Sequence, residues 1–268
     1  EVKNKNIKLM EPRYLECMAS VNELLPCKFG NGNQLRAVII GDSHAIALAR
    51  SISNAAKYGH IDVLSVKACP PIKGVKSLNH EGDCVRYVPN LFNYLNNIQD
   101  GVPIIVVNRM NLYIHGRNEP AGPRGNHVYI NTMYSEKNES IHKSEFLSAY
   151  KKTVCELSAT HPVFILNPIP EMGFNIHDAN KLSKKLKTEN VTIEKSVHLN
   201  RSEFSLQMNE IVKRECSANI LDPLPFICDE KQCFAKKNGE LLYYDDDHLN
   251  LNGAKKLEPL FERIFINN

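Results

Sequence analysis

Short apolar runs without polar alternation recur along this chain, and they restrict its fold more than any other feature. Arg36–Ile40 (RAVII), His60–Val66 (HIDVLSV), Pro103–Val107 (PIIVV), Pro162–Leu166 (PVFIL) and the shorter Asn219–Leu221 (NIL) are brief and rich in β-branched residues. A strand with one wet face alternates apolar and polar residues, whereas runs of this kind suit strands buried on both faces of a parallel sheet. Helical stretches separate them: Ala45–Tyr58, Pro89–Asn97, His142–Ala159 and Arg201–Cys216. A final stretch, Leu251–Ile266, places Leu251, Ala254, Leu257, Leu260, Phe261 and Ile264 on one helical stripe. The alternation predicts a single doubly wound α/β domain, a three-layer α/β/α sandwich around a mostly parallel five-stranded sheet. Residues 111–140, rich in Gly, Pro and Asn, read as a long loop, and residues 173–198 as an insertion with a lysine-rich helix.

In open parallel sheets, ligand sites gather beyond the carboxyl ends of the strands. The segment RAVIIGDSHAIALARSI, residues 36–52, places Gly41, Asp42, Ser43 and His44 at such an end, where an apolar strand gives way to a helix. A serine there exposes its hydroxyl, and helix N-terminal amides can stabilise a developing oxyanion. The competing reading is plain helix capping, which serines commonly perform. A serine nucleophile also needs a neighbouring base. His44 is adjacent, but neighbouring residues on a helix point in different directions, so it is expected to pack behind the site, as is Asp42.

A better base lies in LLYYDDDHLNLNGAKKLEPLF, near the other end of the chain. His248 precedes a helix that Asn250 can cap, and Gly253 and Ala254 allow close packing there. Asp245 stands three residues before His248, so a turn can bring its carboxylate to Nδ1 and leave Nε2 free for the Ser43 proton. Asp247 is expected to point away. The alternative for the three consecutive aspartates is a solvated acidic turn or a cation site. The catalytic reading needs neither metal nor organic cofactor.

Charge and cysteine content narrow the setting. Thirty-three Lys and Arg against 30 Asp and Glu leave a net +3, too weak a basic field for a nucleic-acid binder that relies on one. No run approaches the ~18 apolar residues of a spanning helix. Eight cysteines without a C-x-x-C pair favour disulfides over zinc, and hence an oxidising compartment. Proximity suggests Cys17–Cys27, Cys69–Cys84 and Cys228–Cys233, which leaves Cys155 with Cys216. The alternative is a reduced cytosolic protein with eight thiols.

Taken together, IIGDSHA, ACPPI with a following cysteine, and YYDDDHLNLNGA resemble the SGNH hydrolase superfamily, also called GDSL esterases. The match is closer to the periplasmic domain fused to integral-membrane acyltransferases of the acyltransferase-3 type, which include bacterial O-acetyltransferases that modify lipopolysaccharide O-antigen. The resemblance spans residues 35–268 and implies a catalytic domain there, with flavodoxin-like layering. Residues 1–34 are then an N-terminal extension or a linker from a membrane region. The resemblance further implies Ser43 as nucleophile, Asp245 as orienting acid and His248 as base. Its oxyanion hole combines the serine N–H with a glycine after the second strand and an asparagine after the third. Here the first glycine after the second strand is Gly74, and VVNRMN follows the third, so Asn108, Arg109 or Asn111 could serve. Arg109 serves equally well as a structural ion pair.

The expected function is transfer of acetyl groups to a carbohydrate acceptor through an acyl-serine, in the periplasm. A fused membrane region would deliver the acyl group. A secreted carbohydrate acetylesterase would share every catalytic residue. A non-catalytic glycan-binding or assembly domain would be expected to have lost one of Ser43, Asp245 and His248.

Overall fold

The computed structural model describes residues 10–18, 25–78, 84–118 and 128–266. All five predicted strands form, as Leu35–Gly41, His60–Ser65, Ile104–Val107, Val163–Leu166 and Asn219–Leu221, and each runs parallel to its neighbours among the five. The sheet has six strands rather than five. Cys27–Phe29, from the segment read as an extension, pairs antiparallel with His60–Ser65 at the edge, with Lys28 opposite Asp62. Three residues are too few for periodicity to reveal, although Cys27 and Phe29 are buried and Lys28 is exposed.

Alternate residues of Leu35–Gly41 serve opposite cores, which is why the run lacks polar positions. Ala37 and Ile39 pack with the Ser43–Ala56 helix and the C-terminal helices. Val38 and Ile40 pack with the Cys84–Leu95, Glu139–Ser158 and Lys195–Cys216 helices. Complete burial of residues such as Leu48, Ile52 and Leu91 contributes about 1.5–3 kcal/mol each. The three layers are therefore helix, sheet and helix.

Strand order runs Cys27–Phe29, His60–Ser65, Leu35–Gly41, Ile104–Val107, Val163–Leu166, Asn219–Leu221. The chain leaves Leu35–Gly41 first to one side and then to the other, so the crevice at the switch point opens beyond Gly41. The two central chains approach closely there. A Cβ on Gly41 would meet the Val107 carbonyl oxygen at 1.7 Å.

Other elements refine the expectations. The helix read from Pro89 begins at Cys84, and the one read from Arg201 begins at Lys195. The last helix is two, Leu251–Lys256 and Glu258–Glu262. Pro259 lacks an N–H, and its ring clashes with the carbonyl four residues back, so the helix breaks while its apolar stripe stays buried. The long 111–140 segment is not all loop. Met110–His115 is helical and Val128–Tyr129 pairs with Lys76–Ser77, while residues 119–127 lie outside the described residues. The insertion carries its lysine-rich helix, Ile176–Lys185, capped by Asn175. It then adds Val191–Glu194 to a small sheet with Gln232–Lys237 and Glu240–Leu241.

All four disulfides form with the expected pairing: Cys17–Cys27, Cys69–Cys84, Cys155–Cys216 and Cys228–Cys233. Among the described residues, no helix is long and apolar enough to cross a membrane.

Candidate active site

Ser43 is the first residue of its helix, and Asp42, not Ser43, caps it. The Asp42 carboxylate accepts the His44 N–H at 2.9 Å. The serine hydroxyl is thereby left for other work, and its Oγ lies 2.7 Å from His248 Nε2. Helix geometry gives the Ser43 N–H no carbonyl four residues back, so this donor is available to an oxyanion.

His248 is supplied by a turn whose shape Asp245 sets. Asp245 Oδ1 accepts the backbone N–H of His248 at 2.7 Å and of Asp247 at 3.1 Å, an Asx turn. Its other oxygen, Oδ2, lies 2.8 Å from His248 Nδ1. Asn250 closes the turn by accepting from the Asn252 and Gly253 N–H groups. Gly253 packs against the preceding chain, where a Cβ would meet the Leu242 carbonyl oxygen at 2.1 Å. The residues singled out from sequence thus form one continuous line, Ser43 to His248 to Asp245.

Asp42 and His44 frame this line. Asp42 Oδ2 accepts the Arg109 N–H at 2.7 Å and the Tyr113 hydroxyl at 2.6 Å, and its carbonyl accepts the Ser65 hydroxyl at 2.5 Å. One aspartate so joins the chain beyond three neighbouring strands. Burial alone would raise its pKa, but the His44 charge and the bonds from His44, Tyr113 and Arg109 hold it below 3.8. His44 places Nδ1 3.2 Å from Asp42 and Nε2 3.3 Å from the Asp247 carbonyl. Its ring stacks on His248, and Tyr244 also stacks there at 5.1 Å.

Asp247 does not point away, as its adjacency to His248 suggested. It is buried, with Oδ1 3.3 Å from His248 Nδ1 and Oδ2 3.1 Å from Arg109 Nη1. Burial by itself would lower the His248 pKa, but the Asp247 and Asp245 carboxylates outweigh it and push the group well above 6.5.

The oxyanion candidates separate by position. The Arg109 guanidinium is taken up by Glu171 at 2.9 Å and by Asp247, which makes it an ion pair. Asn111 is turned toward Ser202 and Ser205. Gly74 lies in a turn lining a groove with Lys73, Val88 and Phe92, and a Cβ built on it would face open space. Asn108 is half-buried and directly follows the Ile104–Val107 strand, at a carboxyl end of the sheet, where such crevices form. Oxygens of Asp245, Asp246 and Asp247 approach one another closely enough for a cation. Both Asp245 oxygens are nevertheless committed to His248 and the turn, and Asp247 to Arg109.

Sequence reasoning missed Tyr113, Glu171 and Arg201. Each reaches the site from a different segment, and no local motif marks any of them.

The family model of the SGNH domain (fused to AT3 domains) matches residues 16–263. No curated protein matches the chain. Among solved structures, the periplasmic domain of the lipopolysaccharide acetyltransferase of Salmonella ser. Paratyphi A aligns with a TM-score of 0.62 at 15% identity, covering 99% of this chain and 95% of that one. A putative SGNH hydrolase from Slackia heliotrinireducens aligns with a TM-score of 0.47 at 14% identity, covering 87% of this chain and 99% of that one.

Proposed function

The chain belongs to the family of SGNH domains fused to AT3 domains, and from that premise we propose that it transfers acetyl groups to bacterial surface carbohydrate, namely lipopolysaccharide O-antigen. The observation that carries the proposal is the unbroken line from Ser43 Oγ to His248 Nε2 at 2.7 Å and from His248 Nδ1 to Asp245 at 2.8 Å. That order of nucleophile, base and acid is what acyl transfer through serine requires.

Ser43 Oγ attacks the acyl carbonyl while His248 Nε2 accepts its proton. The Ser43 N–H and the Asn108 side chain stabilise the tetrahedral oxyanion. The imidazolium then protonates the leaving group, and an acyl-serine remains. A sugar hydroxyl enters, gives its proton to His248 and attacks the acyl carbon. Collapse of the second tetrahedral species returns the proton to Ser43 and releases the acetylated sugar. With an acetylated sugar as the donor and water as the acceptor, the same site would be a carbohydrate acetylesterase.

The chain would act in the periplasm, where its four disulfides are at home, and a fused membrane acyltransferase region would deliver the acyl group. The deciding experiment scores acetylated O-antigen in cells expressing this chain joined to its membrane region, with Ser43 intact or replaced. Ser43→Ala is expected to abolish acetylation while the protein stays folded. Undiminished acetylation would overturn the proposal.

A further inference from the structure

We propose that Asp247 is a second positioning carboxylate for His248, set against the imidazole from its buried side and held there by a row of alternating charges through Arg109, Glu171 and Arg201. This rests on His248 being the general base. Each member comes from a different segment of the fold. Asp247 lies in the catalytic turn, Arg109 beyond the Ile104–Val107 strand, Glu171 beyond Val163–Leu166, and Arg201 on the Lys195–Cys216 helix. Asp247 Oδ2 lies 3.1 Å from Arg109, Arg109 lies 2.9 Å from Glu171, and Glu171 lies 3.1 Å from Arg201. Arg201 is fixed in turn by donating to the Gly116 carbonyl at 2.6 Å. A buried ion pair adds little stability over apolar residues of the same shape. A row of four that ends on the general base is better explained by what it does to that base.

The two carboxylates differ in kind. Asp245 is 36% exposed, and its bonds to Nδ1 and two amides fix the tautomer and the ring orientation. Asp247 is 5% exposed, with Oδ1 3.3 Å from Nδ1 and Oδ2 turned to Arg109, so it acts on the ring chiefly through charge. Charge in a desolvated setting is felt strongly. When the Ser43 proton reaches Nε2, the new imidazolium stands 3.3 Å from a carboxylate that water does not screen. Arg109, 3.1 Å from the same carboxylate, offsets part of that field.

Other groups facing His248 are Ser43 and His44 from the Ser43–Ala56 helix, Tyr244 from its own turn, and Tyr14 from the N-terminal segment. Among all of these, only Asp245 and Asp247 bring negative charge to the ring at neutral pH. Burial alone would carry its pKa below 6.5, and the two carboxylates reverse the sign.

The test titrates the His248 ring by NMR in the 268-residue chain, alongside the pH dependence of acetyl-ester hydrolysis. In Asp245→Asn the ring should still titrate above 6.5, because Asp247 remains. Asp247→Asn should lower the midpoint by about one unit or more, and Asp247→Glu should recover at least half of that shift. A midpoint at or below 6.5 in Asp245→Asn, or an unmoved midpoint in Asp247→Asn, would overturn the proposal. Should Asp247→Asn fail to fold, the Asp245→Asn titration decides alone. Hydrolysis that survives Ser43→Ala would instead defeat the nucleophile assignment, and the titration would be unaffected by that result.

Discussion

The His44 ring lies on the His248 ring, with centroids 4.3 Å apart and planes 25° apart. Consecutive residues of one helix thus reach the base in two ways, Ser43 at Nε2 and His44 at a ring face. His44 can hold that pose because Asp42 and the Asp247 carbonyl anchor its two nitrogens. Replacing it with alanine frees the imidazole to tilt away from the serine. His44→Ala should cut kcat on an activated acetyl ester by between about tenfold and a hundredfold, since small misplacements of a reacting group cost that much. His44→Phe, which keeps a ring face, should lose less. Full activity in the alanine variant would show that the stack has no bearing on the base.

Asp245 Oδ2 lies 2.8 Å from His248 Nδ1, and in the proposed mechanism it fixes the tautomer of that ring. Asp245→Asn keeps the shape of the turn but presents an amide to Nδ1, and by analogy with other triads it should lower turnover by about 10⁴-fold. Asp246→Asn should be far milder, because its backbone carbonyl, which accepts the Met172 N–H at 2.7 Å, is kept. Matched kinetics on the two folded variants make the comparison, and equal losses would remove Asp245 from its assigned role.

Much of this arrangement is legible in the sequence, for a physical reason. Strands buried on both faces must be apolar throughout, so RAVII and PIIVV announce themselves, and a turn three residues long places Asp245 beside His248 without help from the fold. Glu171, Arg109 and Arg201 meet only because different segments deliver them to one place. Periodicity tells which face of an element is buried, but not which buried charges meet. The same limit explains Asp247, whose direction is set by Arg109 and His44 and not by its neighbour in the chain. Cys27–Phe29 escaped notice because three residues carry no period, and the break at Pro259 because the apolar stripe continues past it.

The disulfide between Cys155 and Cys216 should matter most to stability. It joins the Glu139–Ser158 and Lys195–Cys216 helices across a sequence separation of 61. In the chain-entropy picture a loop of that size is worth about 4 kcal/mol, against about 2 kcal/mol for a five-residue separation, which is that of Cys228–Cys233. Urea unfolding of Cys155→Ala with Cys216→Ala should therefore show the larger loss, and Cys228→Ala with Cys233→Ala the smaller. Eight alkylated thiols in native protein, without reductant, would refute the oxidised state altogether.

Activity and stability should move in opposite directions as pH rises above 6.5. In the proposed mechanism the neutral imidazole is the base, so hydrolysis should climb as His248 loses its proton, and its raised pKa places that climb above the ordinary histidine value. The sign for stability follows from linkage. A group whose folded pKa is raised binds its proton more tightly in the folded state, so its contribution is complete below 6.5 and disappears as pH passes through the folded value. Asp247, whose pKa burial alone would raise but His248 and Arg109 hold below 3.8, stays ionised throughout this window and adds no slope of its own. Thermal unfolding of the wild-type chain should accordingly lose midpoint temperature as activity grows. His248→Gln should flatten that decline, because the titrating group is gone. Parallel melting curves for the two proteins would mean that His248 titrates alike in both states, and that its carboxylate partners do not hold the proton.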